Sequence, residues 1–180
     1  MNSIQALETY KPVLHSGKAR FLRLIAWQIM PKWIISSGLP GTSWRILLLR
    51  IFGAKIGKLC RFKPGLNISC PWNLSVGDFC WLGESVWIDS LATVNIGSRV
   101  CISQGTYLCT GNHNFKRPSF DLRLGPIVIG AESWVGAKSL LAPGSVLGEG
   151  CVVCLGSVVS GDVEPFAVVR GNPATRVGTR

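Results

Sequence analysis

Acid, histidine and long apolar runs are all scarce in this chain. Nine Asp and Glu stand against nineteen Lys and Arg, leaving a formal charge of +10. That excess favours an anionic partner: a phosphorylated ligand, an anionic membrane surface or nucleic acid. Nothing resembles a zinc finger or an RNP motif, so nucleic acid has only the charge in its favour and is not expected as a partner. The N-terminus "MNSIQALETYKPVLHSGKAR" lacks the apolar core of a secretory signal. The most apolar N-terminal stretch, "LIAWQIMPKWIISSGLP", is cut by Pro31 and Lys32. Neither half reaches the roughly 18–20 apolar residues of a membrane span. These absences predict a cytoplasmic, non-spanning protein. In that compartment the seven cysteines read as free thiols, and an odd count opposes a complete disulfide framework. Cys151 and Cys154 form a CxxC, but Val152, Val153 and the surrounding repeat make it packing, since a zinc site needs further ligands. Only two histidines are present, His15 and His113.

What is plentiful is glycine, 21 in 180 residues, while charged residues make up only 16%. That combination suits one medium-sized domain made of many tight turns. Residues 1–53 are expected to be helical. In "ARFLRLIAWQIMPKWII", Leu22, Ile25, Ile29 and Trp33 recur at three- and four-residue spacing, with Arg20, Arg23 and Lys32 nearby. Pro31 should kink or end that helix. A second helix fits "SWRILLLRIFG", with Ser43 at its start and Gly53 at its C-cap. The favoured reading is a cap packed on the domain. The sharper one is a basic amphipathic surface at the inner face of an anionic membrane.

From Ile56 the period becomes six. Aliphatic or aromatic residues fall at Ile56, Phe62, Ile68 and Leu74. After a slip of two they resume at Val76, Leu82, Ile88 and Val94, and after another at Ile96, Ile102 and Leu108. Beyond an interruption they run through Ile129, Val135, Leu141, Leu147, Val153 and Val159. Helix and ordinary strand do not have this period, and a short fixed repeat means a solenoid. A triangular parallel β-helix fits: one repeat per flat side, the aliphatic residue inward, Gly and small residues at the corners. The fold class expected is mainly β, with the β-helix over residues 54–170, a protruding loop at about 112–125 and a C-terminal tail at 171–180.

The repeat resembles the hexapeptide-repeat acyltransferases, whose β-helix is left-handed. "RIFGAKIG", "PWNLSVGDFCWLGESVWID", "CISQGTYLCTGNH" and "GNPA" are similar to the branch of colanic-acid-biosynthesis and related exopolysaccharide O-acetyltransferases. The resemblance implies transfer of acetyl from acetyl-CoA to a hydroxyl of a sugar or lipid-linked saccharide, in a site between subunits of a homotrimer. The chemistry needs a base for the hydroxyl proton and a donor for the tetrahedral oxyanion, with no metal. His113, in "TGNH" where the loop leaves the coil, matches the catalytic histidine. His15 matches no motif. Asn112 is expected to shape the loop or touch the acceptor. Asn114 stands where relatives carry Asp, so a different group must orient the imidazole. Asp89 of "VWIDS" is an acceptor-site candidate, or steers His113 from a neighbouring subunit. Trp87 stacks on a sugar or, preferably, fills a subunit contact. Lys116, Arg117 and Arg123 of the loop are either solvated or face an anionic substrate. The resemblance puts Trp134, Gly136 and Ala137 beside the pantetheine arm, and Leu155, Gly156 and Ser160 further along. The lysine of the relatives' Thr-Lys-Asp is missing beside Ser160, which leaves Arg176 or Arg180 for the phosphates. A hexapeptide carbonic anhydrase needs more histidines, and a nucleotidyltransferase needs a further domain. The non-enzymatic alternative is a β-helix scaffold that binds partners.

Overall fold

A computed structural model describes residues 6–10, 18–29 and 31–180; His15 lies outside the described residues. From Lys55 onward the chain winds as a left-handed parallel β-helix with three flat sides. The first side stacks Lys55–Ile56, Leu74–Val76, Val94–Ile96, Ile127–Ile129, Val146–Leu147 and Asp162–Val163. The second stacks Arg61–Phe62, Trp81–Leu82, Cys101–Ile102, Trp134–Val135, Val152–Val153 and Ala167–Gly171. The third stacks Asn67–Ile68, Trp87–Asp89, Tyr107–Cys109, Leu140–Leu141 and Val158–Val159. An antiparallel strand, Ala174–Thr179, folds back on Ala167–Gly171 and ends the second side.

Every aliphatic position of the six-residue period is buried, from Ile56 to Val159. The two-residue slips have a simple cause. On the first side Leu74 and Val76, then Val94 and Ile96, both point inward from one three-residue strand. Coils there take twenty residues, Arg61 pairing with Trp81, whereas upper coils take eighteen, Trp134 pairing with Val152.

The glycines that follow the aliphatic residues work differently from expectation. Many corners bend through non-glycine residues with positive φ, such as Phe79 (61°), Arg99 (58°) and Glu132 (61°). Gly57, Gly77 and Gly97 are needed for space instead. A Cβ on Gly77 would lie 2.6 Å from the Ser98 backbone nitrogen, below any tolerable contact.

Three helices cap the N-terminal end: α1 (Lys18–Ile29), α2 (Pro31–Ser36) and α3 (Ser43–Ile51). Pro31 opens α2, where its missing N–H costs nothing. Gly53 closes α3 in the left-handed region (φ 92°), its N–H bonded to the Arg50 carbonyl. Thr42 precedes α3, but its hydroxyl donates to the Phe62 carbonyl rather than capping the helix. The α1 stripe does not pack inward: Leu22 and Ile29 are 64% and 72% exposed, and Trp33 on α2 is 73% exposed. Burial falls to Trp27 on the opposite face. Its indole packs on Phe52 and donates to the Ile68 carbonyl at 2.9 Å. The end of a narrow prism offers too little area for the stripe as well: Trp27 fills it together with Ile35 of α2 and Ile46 and Leu49 of α3. Arg45, fully buried, donates to the carbonyls of Ile35, Ser37, Leu39 and Gly41, so its charge is satisfied without a carboxylate.

Candidate active site

The loop leaves the prism at the corner between the third and first sides. Gly111–His113 pairs antiparallel with Leu122–Leu124, His113 opposite Leu122 and Asn112 opposite Arg123. Gly111 is pressed to the wall: a Cβ there would sit 3.2 Å from Leu91 Cδ1 and 3.5 Å from Asp89 Oδ2. At the turn Asn114 is buried; its N–H donates to the Asp121 carbonyl and its Oδ1 accepts the Lys116 N–H. Arg117 pairs with Asp121 at 3.7 Å on the surface.

The His113 ring is held on two sides. Phe120 stacks on it at 4.4 Å with planes 7° apart, and Tyr10 meets it edge-on at 5.6 Å. The Phe120 carbonyl lies 2.7 Å from His113 Nδ1. A carbonyl oxygen can only accept, so Nδ1 carries the proton and Nε2 keeps its lone pair in the neutral ring. Phe120 adopts φ 49°, which helps turn that carbonyl back toward the ring. The Asn112 Oδ1 accepts the His113 N–H at 2.7 Å, fixing the backbone beneath the imidazole. Tyr10 is brought there by the segment around Leu7–Thr9, tied to the loop by Ala6 N–H to the Pro118 carbonyl. Sequence reasoning named neither Phe120 nor Tyr10. A backbone acceptor has no residue signature, and Tyr10 arrives from the far end of the chain.

Asp89 and Trp87 lie on the third side at the foot of the loop. Asp89 is in register with Cys109, and its carbonyl accepts from Thr110 N–H and hydroxyl. Burial pushes the Asp89 carboxyl above its usual range, opposed by the Ser69 hydroxyl and the Lys32 ammonium. Trp87 stacks on Tyr107 at 4.4 Å. Burial also raises the Tyr107 phenol, with Cys109 and Asp89 adding to the shift.

The remaining candidates are mostly elsewhere. Trp134, on the second side, donates its indole N–H to Ser103 Oγ at 2.9 Å. With Gly136, Ala137, Cys154 and Leu155 it lines a groove of about 480 Å³, mostly apolar and walled partly by backbone. Gly156, at φ 69°, follows at the adjoining corner, with open space where a Cβ would be. Ser160 follows the third-side strand Val158–Val159 and is not brought to this groove. Arg176 is engaged by Glu164 at 3.0 Å and by Thr179, and Arg180 donates to the Glu132 carbonyl. Arg170, absent from the sequence candidates, is exposed beyond outward-facing Val168 at the head of the second side.

One chain therefore divides the candidates. His113, Asn112, Asp89 and Trp87 gather at the third side and its corner with the first. Trp134, Gly136, Ala137, Leu155 and Gly156 follow the second side and its corner with the third. Among the described residues no cluster of three or more His, Cys, Asp and Glu could hold a metal. Cys151 is buried and donates to the Glu164 carbonyl.

No protein-family model matches the chain. It is 42% identical over 137 residues to WcaF of Escherichia coli, a protein named as a colanic acid biosynthesis acetyltransferase, covering 76% of this chain and 75% of that one. It is 29% identical over 170 residues to nodulation protein L of Rhizobium meliloti, covering 93% and 91%. The fold superposes on a hexapeptide-repeat-containing acetyltransferase of Vibrio cholerae with a TM-score of 0.81 and 26% identity, covering 91% of this chain and 93% of that one. A second structure of that protein, in complex with acetyl-CoA, superposes with a TM-score of 0.82 at 24% identity, covering 92% and 91%.

Proposed function

The chain belongs to the hexapeptide-repeat acyltransferases, in the branch of the colanic acid biosynthesis acetyltransferases, and from that premise we propose that it moves acetyl from acetyl-CoA to a hydroxyl of a sugar or polysaccharide precursor. The observation that carries this reading is the His113 Nδ1 contact with the Phe120 carbonyl, which leaves Nε2 as a free base. His113 takes the acceptor's hydroxyl proton as that oxygen attacks the thioester carbonyl carbon. The tetrahedral intermediate then expels the thiolate, and the imidazolium returns the proton to sulfur. Trp134, Gly136, Ala137 and Leu155 would hold the pantetheine arm, and Arg170 and Arg176 its phosphates.

The division of candidates between sides supports a site completed by a second copy. The loop of one subunit would face the second side of the next, and a cyclic homotrimer closes that arrangement without open ends. Asp89 and Trp87 then line the acceptor side of the cleft. Among the described residues no helix is long and apolar enough to cross a membrane. The outward stripe of Leu22, Ile25, Ile29 and Trp33, with Leu47 and Ile51 of α3, supports peripheral contact with an anionic inner leaflet. That position suits a lipid-linked acceptor on the cytoplasmic side.

The decisive experiment follows free-thiol release from acetyl-CoA against hexose and lipid-linked sugar acceptors. Wild type should show acceptor-dependent release. His113→Ala should lose about 10²–10⁴-fold. Equal rates in the two proteins would sink the assignment of the base.

A further inference from the structure

The pantetheine arm accounts for only one end of the groove on the second side. Below Trp134 the groove continues through a space of about 510 Å³. Ser103, Gln104 and Trp134 line both parts. Arg61, Lys63 and Glu84 are shared with a third space of about 580 Å³ that reaches Pro40 and Arg45 of the cap. A single track thus runs from the proposed donor end to the helical cap.

Its furniture is specific. Trp81 and Trp134 are each about half exposed, and both are in register with Cys101, which lies between them. Two strand spacings, about 9.5 Å, separate the backbones that carry them, with the small cysteine on the strand between. Trp134 is fixed by its bond to Ser103, and the Arg61 guanidinium sits 4.9 Å over the Trp81 ring. Gln104 and Ser103 offer amide and hydroxyl groups along the wall. Arg61 and Lys63 outnumber the single carboxylate, Glu84, so the far end is positive. Aromatic platforms meet the apolar faces of sugar rings, and side-chain amides and hydroxyls meet their hydroxyls. The cations ask for an anionic group.

We propose that this track is an extended acceptor subsite for an anionic oligosaccharide. Trp134 borders both spaces and divides the pantetheine arm from the sugar; sugar rings run down from it to the face of Trp81 that Arg61 leaves open, and a phosphate or uronate carboxylate meets Arg61 and Lys63. The proposal rests on the acetyl-transfer reading, because the acceptor hydroxyl must reach the donor end at Trp134.

The test is calorimetric titration of the assembled protein with gluco-oligosaccharides of one, two and four units. Each is used neutral and as its 1-phosphate, beside a galacturonate tetramer. The phosphorylated tetramer should bind about tenfold tighter than the phosphorylated monomer, the scale of an aromatic platform contact. Trp81→Ala should erase that gain with length, and Trp81→Phe should keep most of it. Changing Arg61 and Lys63 together to Gln should erase the advantage of charged over neutral probes. A tight galacturonate tetramer would identify the anionic group as a uronate; preference for the 1-phosphates alone would identify it as a terminal phosphate. Affinity independent of length, or no binding by any probe, overturns the proposal. So does dissociation of the oligomer by Trp81→Ala in sedimentation, which would make the track a subunit contact. Length-dependent binding without acetyl transfer would sink the reaction and keep the track. Transfer without length dependence would do the reverse.

Discussion

The prism and its cap are both apolar in sequence, yet only the prism buries what its period marks. Along the coils each inward residue meets the same position one coil above and below, so the repeat builds its own partner surface. Ile102 is fully buried because Leu82 and Val135 flank it in register. On α1 the period is just as regular, but no second surface of matching period exists for it. Burial there follows the shape of the prism's open end, which takes Trp27 and leaves Leu22 and Ile29 outside. Periodicity predicts burial where the repeat supplies both partners, and predicts only an apolar face where it does not.

That contrast is easiest to break with large-to-small substitutions. Trp27→Ala removes the plug and strands the Ile68 carbonyl, and should cost about 3–5 kcal/mol in urea unfolding. Ile102→Ala in the column should cost about 2–5 kcal/mol. Leu22→Ser with Ile29→Ser should together change stability by less than about 1 kcal/mol, as exposed sites do. If the stripe pair proved as costly as Ile102→Ala, that face would be packed in the assembled protein and the contrast would fail.

The same pair sharpens the comparison through a second measurement. Wild type should co-sediment with anionic vesicles at low salt and release as salt rises, because the attraction of the basic chain is screened. The double serine variant should bind several-fold more weakly with its fold intact. Unchanged binding would remove the stripe from the membrane contact, and absence of wild-type binding would remove the contact itself.

Legibility follows the same division. The coils could be read because one rule repeats from Ile56 to Val159, and the break in that rule located the loop with His113 at its head. The glycines after the aliphatic residues were visible, but their reason was not: Gly77 is excluded from carrying a Cβ by the next coil's backbone, a contact that only stacking creates. The group that orients His113 was beyond reach because Asn114 offered the wrong clue and the true partner is the main chain of Phe120. The path from Trp134 to Arg61 was equally hidden. Its residues are spread over several coils and become neighbours only through register.

The smallest expected effect lies where wall and cap meet. Asp89 belongs to the third side, and Lys32, one of the groups that opposes its shift, belongs to α2. Burial dominates and raises the carboxyl, so the folded protein holds a proton that the unfolded chain has already released. Stability from this group is full below the ordinary aspartate pKa, about 4, and is lost as pH rises through the raised folded value. Asp89→Asn carries no charge to desolvate, so its urea midpoint should gain on wild type between about pH 4 and neutrality. The opposite trend, wild type gaining on the variant as pH rises, would mean that Lys32 and Ser69 outweigh burial. The cap would then be bound to the wall by charge as well as by the Trp27 plug.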